Sequence, residues 1–136
     1  MKFSDIPAIL LRSSFYWLMG AGTMLIEVIG RKTGRPIYLP VNYYKDGLVL
    51  WVVSSRERVW WRNLQANPNA RLWIANQVHA VHAEVITDEA EVAQVLVNLF
   101  EKDAMLARAL HYQPSNPLSL QRAAEERLVV RLSTLA

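Results

Sequence analysis

Residues 30–36 read GRKTGRP, which sets Arg31, Lys32 and Arg35 among two glycines and a proline, between two apolar runs. A hairpin at this place needs turn formers but has no need of three cations. Glycine lets a backbone turn tightly and approach a ligand closely, and guanidinium and ammonium groups supply positive charge. The Thr33 hydroxyl adds a donor, so the chemistry on offer is capture of a phosphate or carboxylate. A solvated, charged hairpin tip is the competing reading. Residues 52–64, VVSSRERVWWRNL, form a second set, read as a strand running into a helix. Ser54 and Ser55 can cap that helix, Arg56 and Arg58 add charge, and its positive dipole end makes a phosphate cradle. Trp60 and Trp61 are neighbours on it and point about 100° apart, so one can face the core and the other a groove.

Composition limits what these groups can be doing. The chain has 136 residues, 52% hydrophobic and 20% charged, enough for a single domain (1–136) with its own core. With no cysteine there is no disulfide framework, thiolate metal site or cysteine nucleophile, which suits a reducing cytoplasm. A net charge of +3 and a pI near 9.4 favour an anionic partner without choosing one. His79 and His82 are an odd number of positions apart in a strand and point to opposite faces, so no metal site is expected. No G-x-S-x-G elbow marks a serine hydrolase. The acidic stretch 88–103 argues against a nucleic-acid track, although Trp and Arg interleave over 56–73.

The elements that must position these residues follow from periodicity and punctuation. Strands are expected at 23–29, 37–44, 48–54, 70–75, 78–86 and 127–135, and helices at 56–66, 88–110 and 118–125. Asp88 and Glu91 have capping-box spacing at the start of the long helix. Residues 1–22 read as an N-terminal helix packing on the body of the domain, capped by Ser4 or Asp5. They are too broken for a membrane span or a signal peptide. The apolar stretch 6–19 leaves open a peripheral membrane contact. Six antiparallel strands with inserted helices make this an α+β protein, organised as a small or partly open barrel. Glu27, a carboxylate inside an apolar strand, has no role in this reading.

GRKTGRP, LPVNYYKDG (39–47), VVSS (52–55) and WWRNLQANPNARLWI (60–74), in this order and spacing, resemble the deazaflavin-dependent nitroreductases, also called coenzyme F420-dependent quinone reductases. The resemblance covers roughly residues 24–87. It implies a split β-barrel of the flavin-nucleotide-binding kind, with reduced F420 handing hydride to a quinone, nitroaromatic or activated alkene. Carried over, Arg31, Lys32 and Thr33 hold the cofactor, and Ser54 sits beside its ring. Ser55, Arg56 and Arg58 surround the phosphate, while Trp60, Trp61 and Asn63 match a helix lying against the cofactor. Tyr43 matches the tyrosine of a proline–x–x–tyrosine strand, as a proton donor or a wall of the substrate site. Ser54 and Tyr43 are thus the catalytic candidates, and a small-molecule electron acceptor is the expected partner.

The chain also departs from that pattern. The segment between Ser54 and Trp60 is short and lacks paired glycines and a proline, and Ile37 stands where relatives are often basic. HYQPSNP (111–117) replaces a tyrosine-rich region. FMN, whose tail ends at the phosphate, is therefore the alternative cofactor. A non-catalytic barrel holding a lipid or fatty acid is the alternative of another class. A homodimer is left open.

Overall fold

Along β1 (Thr23–Ile29), Met24, Ile26 and Val28 alternate onto one face and are fully buried. Val41, Val52, Ala70, Leu72, Val81, Ala83, Leu128, Val130 and Leu132 join them in one core. These residues come from β2 (Pro36–Asn42), β4 (Val49–Ser55), β5 (Asn69–Ile74), β6 (Gln77–Ile86) and β7 (Arg127–Thr134). The strands form one sheet of seven in the order β2-β1-β5-β6-β7-β4-β3, with β3 at Tyr44–Asp46 and every pairing antiparallel. A flat sheet could not gather strands this far apart in its order around one core, so the sheet is curled. Its edges, β2 and β3, follow one another in the chain across Tyr43, and the barrel is split between them. The computed structural model describes residues 22–74 and 77–135. The expected N-terminal helix and its membrane-contact stretch 6–19 lie outside them.

The helix α1 (Trp60–Ala66) fills the inside, contributing Trp60, Trp61 and Leu64 to the barrel core. Three others, α2 (Glu89–Lys102), α3 (Ala104–Ala109) and α4 (Pro117–Glu126), cover the outer face of the sheet. Val92, Leu96, Leu99 and Phe100 of α2 pack there with Trp51, Ile86 and Val129. Asp88 caps α2 as expected, accepting from the Glu91 N–H at 3.1 Å. Among the described residues no helix is long and apolar enough to cross a membrane.

The split-barrel expectation holds, with three corrections of detail. The strand expected at 37–44 is two strands, making seven among the described residues. Thr23 to Ile29 pair with Asn42 to Pro36, after which the Tyr43 N–H bonds to Gly22 O and Tyr44 starts a hairpin with Trp51. The helix expected at 88–110 is broken at Asp103. Its N–H donates to Leu99 O to close α2, and its carboxylate accepts from the Leu106 N–H to open α3. The helix expected from 56 begins at Trp60, because a turn closed by Arg58 N–H to Ser55 O precedes it. Val59 stands at its N-cap with no side-chain cap, so neither Ser54 nor Ser55 caps it. Glu27 also gains a role. It is 3% exposed and held by Arg71, with Nε–Oε1 at 2.6 Å and Nη2 on Oε2.

Candidate functional site

The cationic turn is built tightly. Gly34 takes φ +71, a left-handed conformation that favours glycine. A Cβ on Gly30 would lie 3.0 Å from Thr33 Oγ1 and 3.2 Å from Arg35 O, so the turn closes only over a bare Cα. Thr33 Oγ1 accepts from the Arg35 N–H at 3.2 Å. Arg31, Lys32 and Arg35 are exposed.

Asn63 connects this turn to α1. Its buried Oδ1 accepts from the Arg31 backbone N–H at 2.9 Å and from Arg31 Nη1 at 3.3 Å, while its Nδ2 donates to Trp60 O at 3.0 Å. Arg31 Nη1 also reaches Val59 O at 3.5 Å. Asn63 therefore works as a brace between the cations and the tryptophans, with both ends of its amide in use. Lys32 has no partner among the described residues.

On the other side of α1, the Trp60 indole N–H donates to Ser54 Oγ at 3.0 Å, and Ser54 Oγ donates to Ser55 O at 3.1 Å. Ser54 is 4% exposed and has spent its proton internally, which leaves one lone pair to accept from a ligand. Trp61 is as buried as Trp60, but its N–H finds no partner among the described residues. Arg62 lies over its ring, 5.3 Å from the centroid.

The two serines and Trp60 line a cavity of about 540 Å³ at the split of the barrel. Pro40, Val41 and Asn42 of β2 form one side, Tyr44 and Val52 to Ser55 the other. Leu106, Ala109 and Leu110 close it from α3 and its end, and Arg58 and Arg127 stand in its wall. The cavity thus unites Ser54, Ser55, Arg58 and Trp60 of the expected residues. Arg31, Lys32 and Thr33 lie outside it, joined to it through Asn63 and Val59. Tyr43 packs against the barrel core instead. Arg56 turns toward α4, where its Nη2 donates to Ala124 O at 2.8 Å and its backbone N–H to Glu126 O.

Two residues in the cavity wall were not anticipated. Tyr44 takes the place expected of Tyr43, because the corner between β2 and β3 sends successive side chains to opposite faces. Burial, followed by the nearby Asp103 carboxylate, raises the Tyr44 phenol above its usual value, so it stays protonated. Arg127 begins β7 and reaches the site because Ser55 pairs with it. Only the strand parity at Tyr43–Tyr44 was a usable signal. Nothing local marks Arg127. Among the described residues no three of His, Asp and Glu are placed to hold a metal.

Known proteins bear on this geometry at two levels. The fold is similar to that of a solved F420 reductase, at 15% identity over 88% of this chain and 90% of that one, with a TM-score of 0.52. It is similar to an FAD-binding protein from Mesorhizobium loti (13% identity, 88% and 85% covered, TM-score 0.58). HutZ, the heme storage protein from Vibrio cholerae, is alike as well (15%, 90% and 87%, 0.59). At these identities the likeness speaks for the fold alone. The family is settled by sequence: residues 13–108, which include the cationic turn, Asn63, Ser54 and Trp60, match the F420H(2)-dependent quinone reductases, and the chain belongs to that family.

Proposed function

We propose that this protein is a reductase that takes hydride from reduced coenzyme F420 and delivers it to a quinone, a nitroaromatic or an activated alkene. The observation that carries the reading is the cavity at the barrel split, with Ser54 and Trp60 on its wall and cations at its rim. The coenzyme is a flat tricycle on a ribityl phosphate with an acidic tail, so it needs an apolar slot that opens onto positive charge. A volume of about 540 Å³ suits such a tricycle. Arg31 reaches Val59, between the cavity residues Arg58 and Trp60, so the turn that also carries Lys32 and Thr33 adjoins the rim and offers charge to the acidic tail, and the residues present fit the group. FMN remains the second reading, favoured by the short segment between Ser54 and Trp60. The described barrel interior is filled by Trp60, Trp61 and Leu64, which leaves little support for a lipid carrier.

The cofactor, when bound, supplies the hydride. The protein's part is to bind, orient and exclude water. Trp60, held by Ser54, presents a fixed aromatic wall. Ser54 offers a lone pair to a ring or acceptor N–H. Tyr44, kept neutral, donates a hydrogen bond to the acceptor oxygen on which negative charge grows, where such a donor acts most strongly. Tyr43 serves as packing behind this wall. The acceptor is then protonated from solvent or through that phenol.

Fluorescence titration of the purified protein with F420 and with FMN tests the reading, followed by anaerobic mixing of F420H(2) with a simple naphthoquinone. Micromolar binding of F420 and quinone-dependent oxidation of F420H(2) are expected. Binding of FMN alone would move the protein to the second reading, and binding of neither would remove the reductase.

A further inference from the structure

Several charged side chains in this structure are paired. Arg71 holds Glu27, Lys102 holds Asp46, Arg131 holds Glu84, and Arg56 caps the end of α4. Arg58 and Arg127 are different. Both line the cavity at the split, Arg58 exposed at its mouth and Arg127 half-buried, and neither has a hydrogen-bond or ion-pair partner for its guanidinium among the described residues. They stand on either side of Ser55. Arg58 follows it by three residues through the turn, and Arg127 lies opposite it in the β4–β7 ladder. Glu57, Glu125 and Glu126 border an adjoining groove with Arg127, yet no carboxylate of theirs comes within ion-pair distance of it. Two guanidiniums in one wall repel each other until an anion lies between them, and each offers a planar fork matched to phosphate or carboxylate.

The resemblance already places Ser55 and Arg58 at a phosphate; we infer that Arg127, brought from β7 to the other side of Ser55, joins Arg58 to complete an anion subsite in the cavity wall. Given the reading above, on which this assignment of the ligand rests, they hold the cofactor's phosphodiester. The cations then run in the order of the coenzyme's own charges. Arg127 and Arg58 meet the phosphate next to the ring slot. Arg31, tied to Val59 beside Arg58, and Lys32 beyond it meet the tail carboxylates. This arrangement also supplies what the short Ser54–Trp60 segment lacks, since a turn without glycines is compensated by a side chain from β7. Arg127 lies on the C-terminal strand, outside the matched residues 13–108.

The test compares wild type with Arg127→Gln and Arg58→Gln, using Arg122→Gln on the exposed face of α4 as control. Three probes are titrated: F420, its ribityl-deazaflavin fragment without phosphate, and inorganic pyrophosphate at constant ionic strength, the last followed by thermal shift. Loss of one charge-assisted pair predicts about tenfold to hundredfold weaker F420 binding in either cavity variant. The phosphate-free fragment should bind within about twofold of wild type. Pyrophosphate should raise the melting temperature of wild type and of Arg122→Gln, but not of Arg127→Gln. Equal loss for both deazaflavins, or no loss, overturns the subsite while leaving the reductase standing. Wild type that ignores F420 but responds to pyrophosphate through Arg127 keeps the subsite and overturns the cofactor. Wild type that responds to neither overturns both.

Discussion

On the outer face of β1 and β5, the Arg71 guanidinium grips both oxygens of Glu27. At the split of the barrel, Arg58 and Arg127 grip nothing in the described chain. Both regions place arginines on a strand or in the turn that follows one, beside a tryptophan: the Trp73 ring centroid lies 5.5 Å from the Arg71 guanidinium carbon, and Trp60 lines the cavity with Arg58 and Arg127. The difference is whether the opposing strand supplies an anion. Glu27 stands opposite Arg71 in the β1–β5 register, so that charge is consumed in fixing the pairing. Ser55 stands opposite Arg127, and a hydroxyl cannot neutralise a guanidinium. A satisfied arginine is a strut, and an unsatisfied one in a cavity is a receptor.

Breaking the strut should have the largest effect. Arg71→Ala leaves the Glu27 carboxylate buried without its partner, which costs about 3–5 kcal/mol of stability. Urea unfolding measures it. Replacing both residues by apolar ones of similar size should restore much of the loss, because desolvation of the pair offsets most of its attraction. If Arg71→Ala melts like wild type, the pair is not holding the β1–β5 register. The cavity arginines should behave oppositely, with melting temperatures near wild type and altered binding only.

Asn63 stands between these extremes, a brace that serves a receptor. Asn63→Ala removes the acceptor of the Arg31 N–H and the donor to Trp60 O, for a loss of about 1–3 kcal/mol. It should weaken F420 binding as well, because the cationic turn loses its fixed distance from α1. Arg31→Ala combined with Lys32→Ala should weaken binding while leaving the melt nearly unchanged, since the Arg31 backbone bond to Asn63 survives. A double variant that unfolds early would make the turn structural, and one that binds F420 normally would make it a charged hairpin tip.

These contrasts explain which parts of the molecule were legible from sequence. TMLIEVI and LVLWVVS were legible as strands because both are short apolar runs bounded by turn formers, and both of their faces are buried, Val52 in the barrel core and Trp51 under the helices. Asp88 was recognisable as a cap from its neighbours alone. The breaks at Tyr43 and Asp103 were hidden. Apolar periodicity runs through Leu99, Phe100 and Leu106 as though one helix continued, and only packing shows that Asp103 caps on both sides. The choice between Tyr43 and Tyr44 turns on a corner set by pairing with β1. Arg56 and Arg58 look alike in RER, yet the Ser55–Arg58 turn sends the first to α4 and leaves the second in the cavity. Ser54 is a candidate by resemblance, and since its proton goes to Ser55 O, the lone pair left to it can only accept. Arg127 could be found only from the β4–β7 register.

The smallest effect is expected at Tyr44, where a polar group is neither strut nor receptor for charge. Burial, and to a lesser degree Asp103, raises its phenol above the usual value near ~10. A raised folded value means that the unfolded chain loses the proton first as pH climbs. The stabilising contribution is therefore complete below about pH 10 and is lost as pH rises through the folded value. Melting temperatures measured from pH 8 to 11 should fall more steeply for wild type than for Tyr44→Phe, with no difference near neutrality. Asp103→Asn keeps an acceptor for the α3 cap but removes the charge, so it should move the alkaline limb part of the way back toward an ordinary tyrosine. At neutral pH Tyr44→Phe should bind F420 normally and turn over quinone more slowly, since it loses a donor to the acceptor and nothing else. Identical alkaline limbs together with unchanged turnover would show that the phenol is only a wall. Slower turnover with a parallel limb would keep its hydrogen bond to the acceptor and remove burial as the reason it stays protonated.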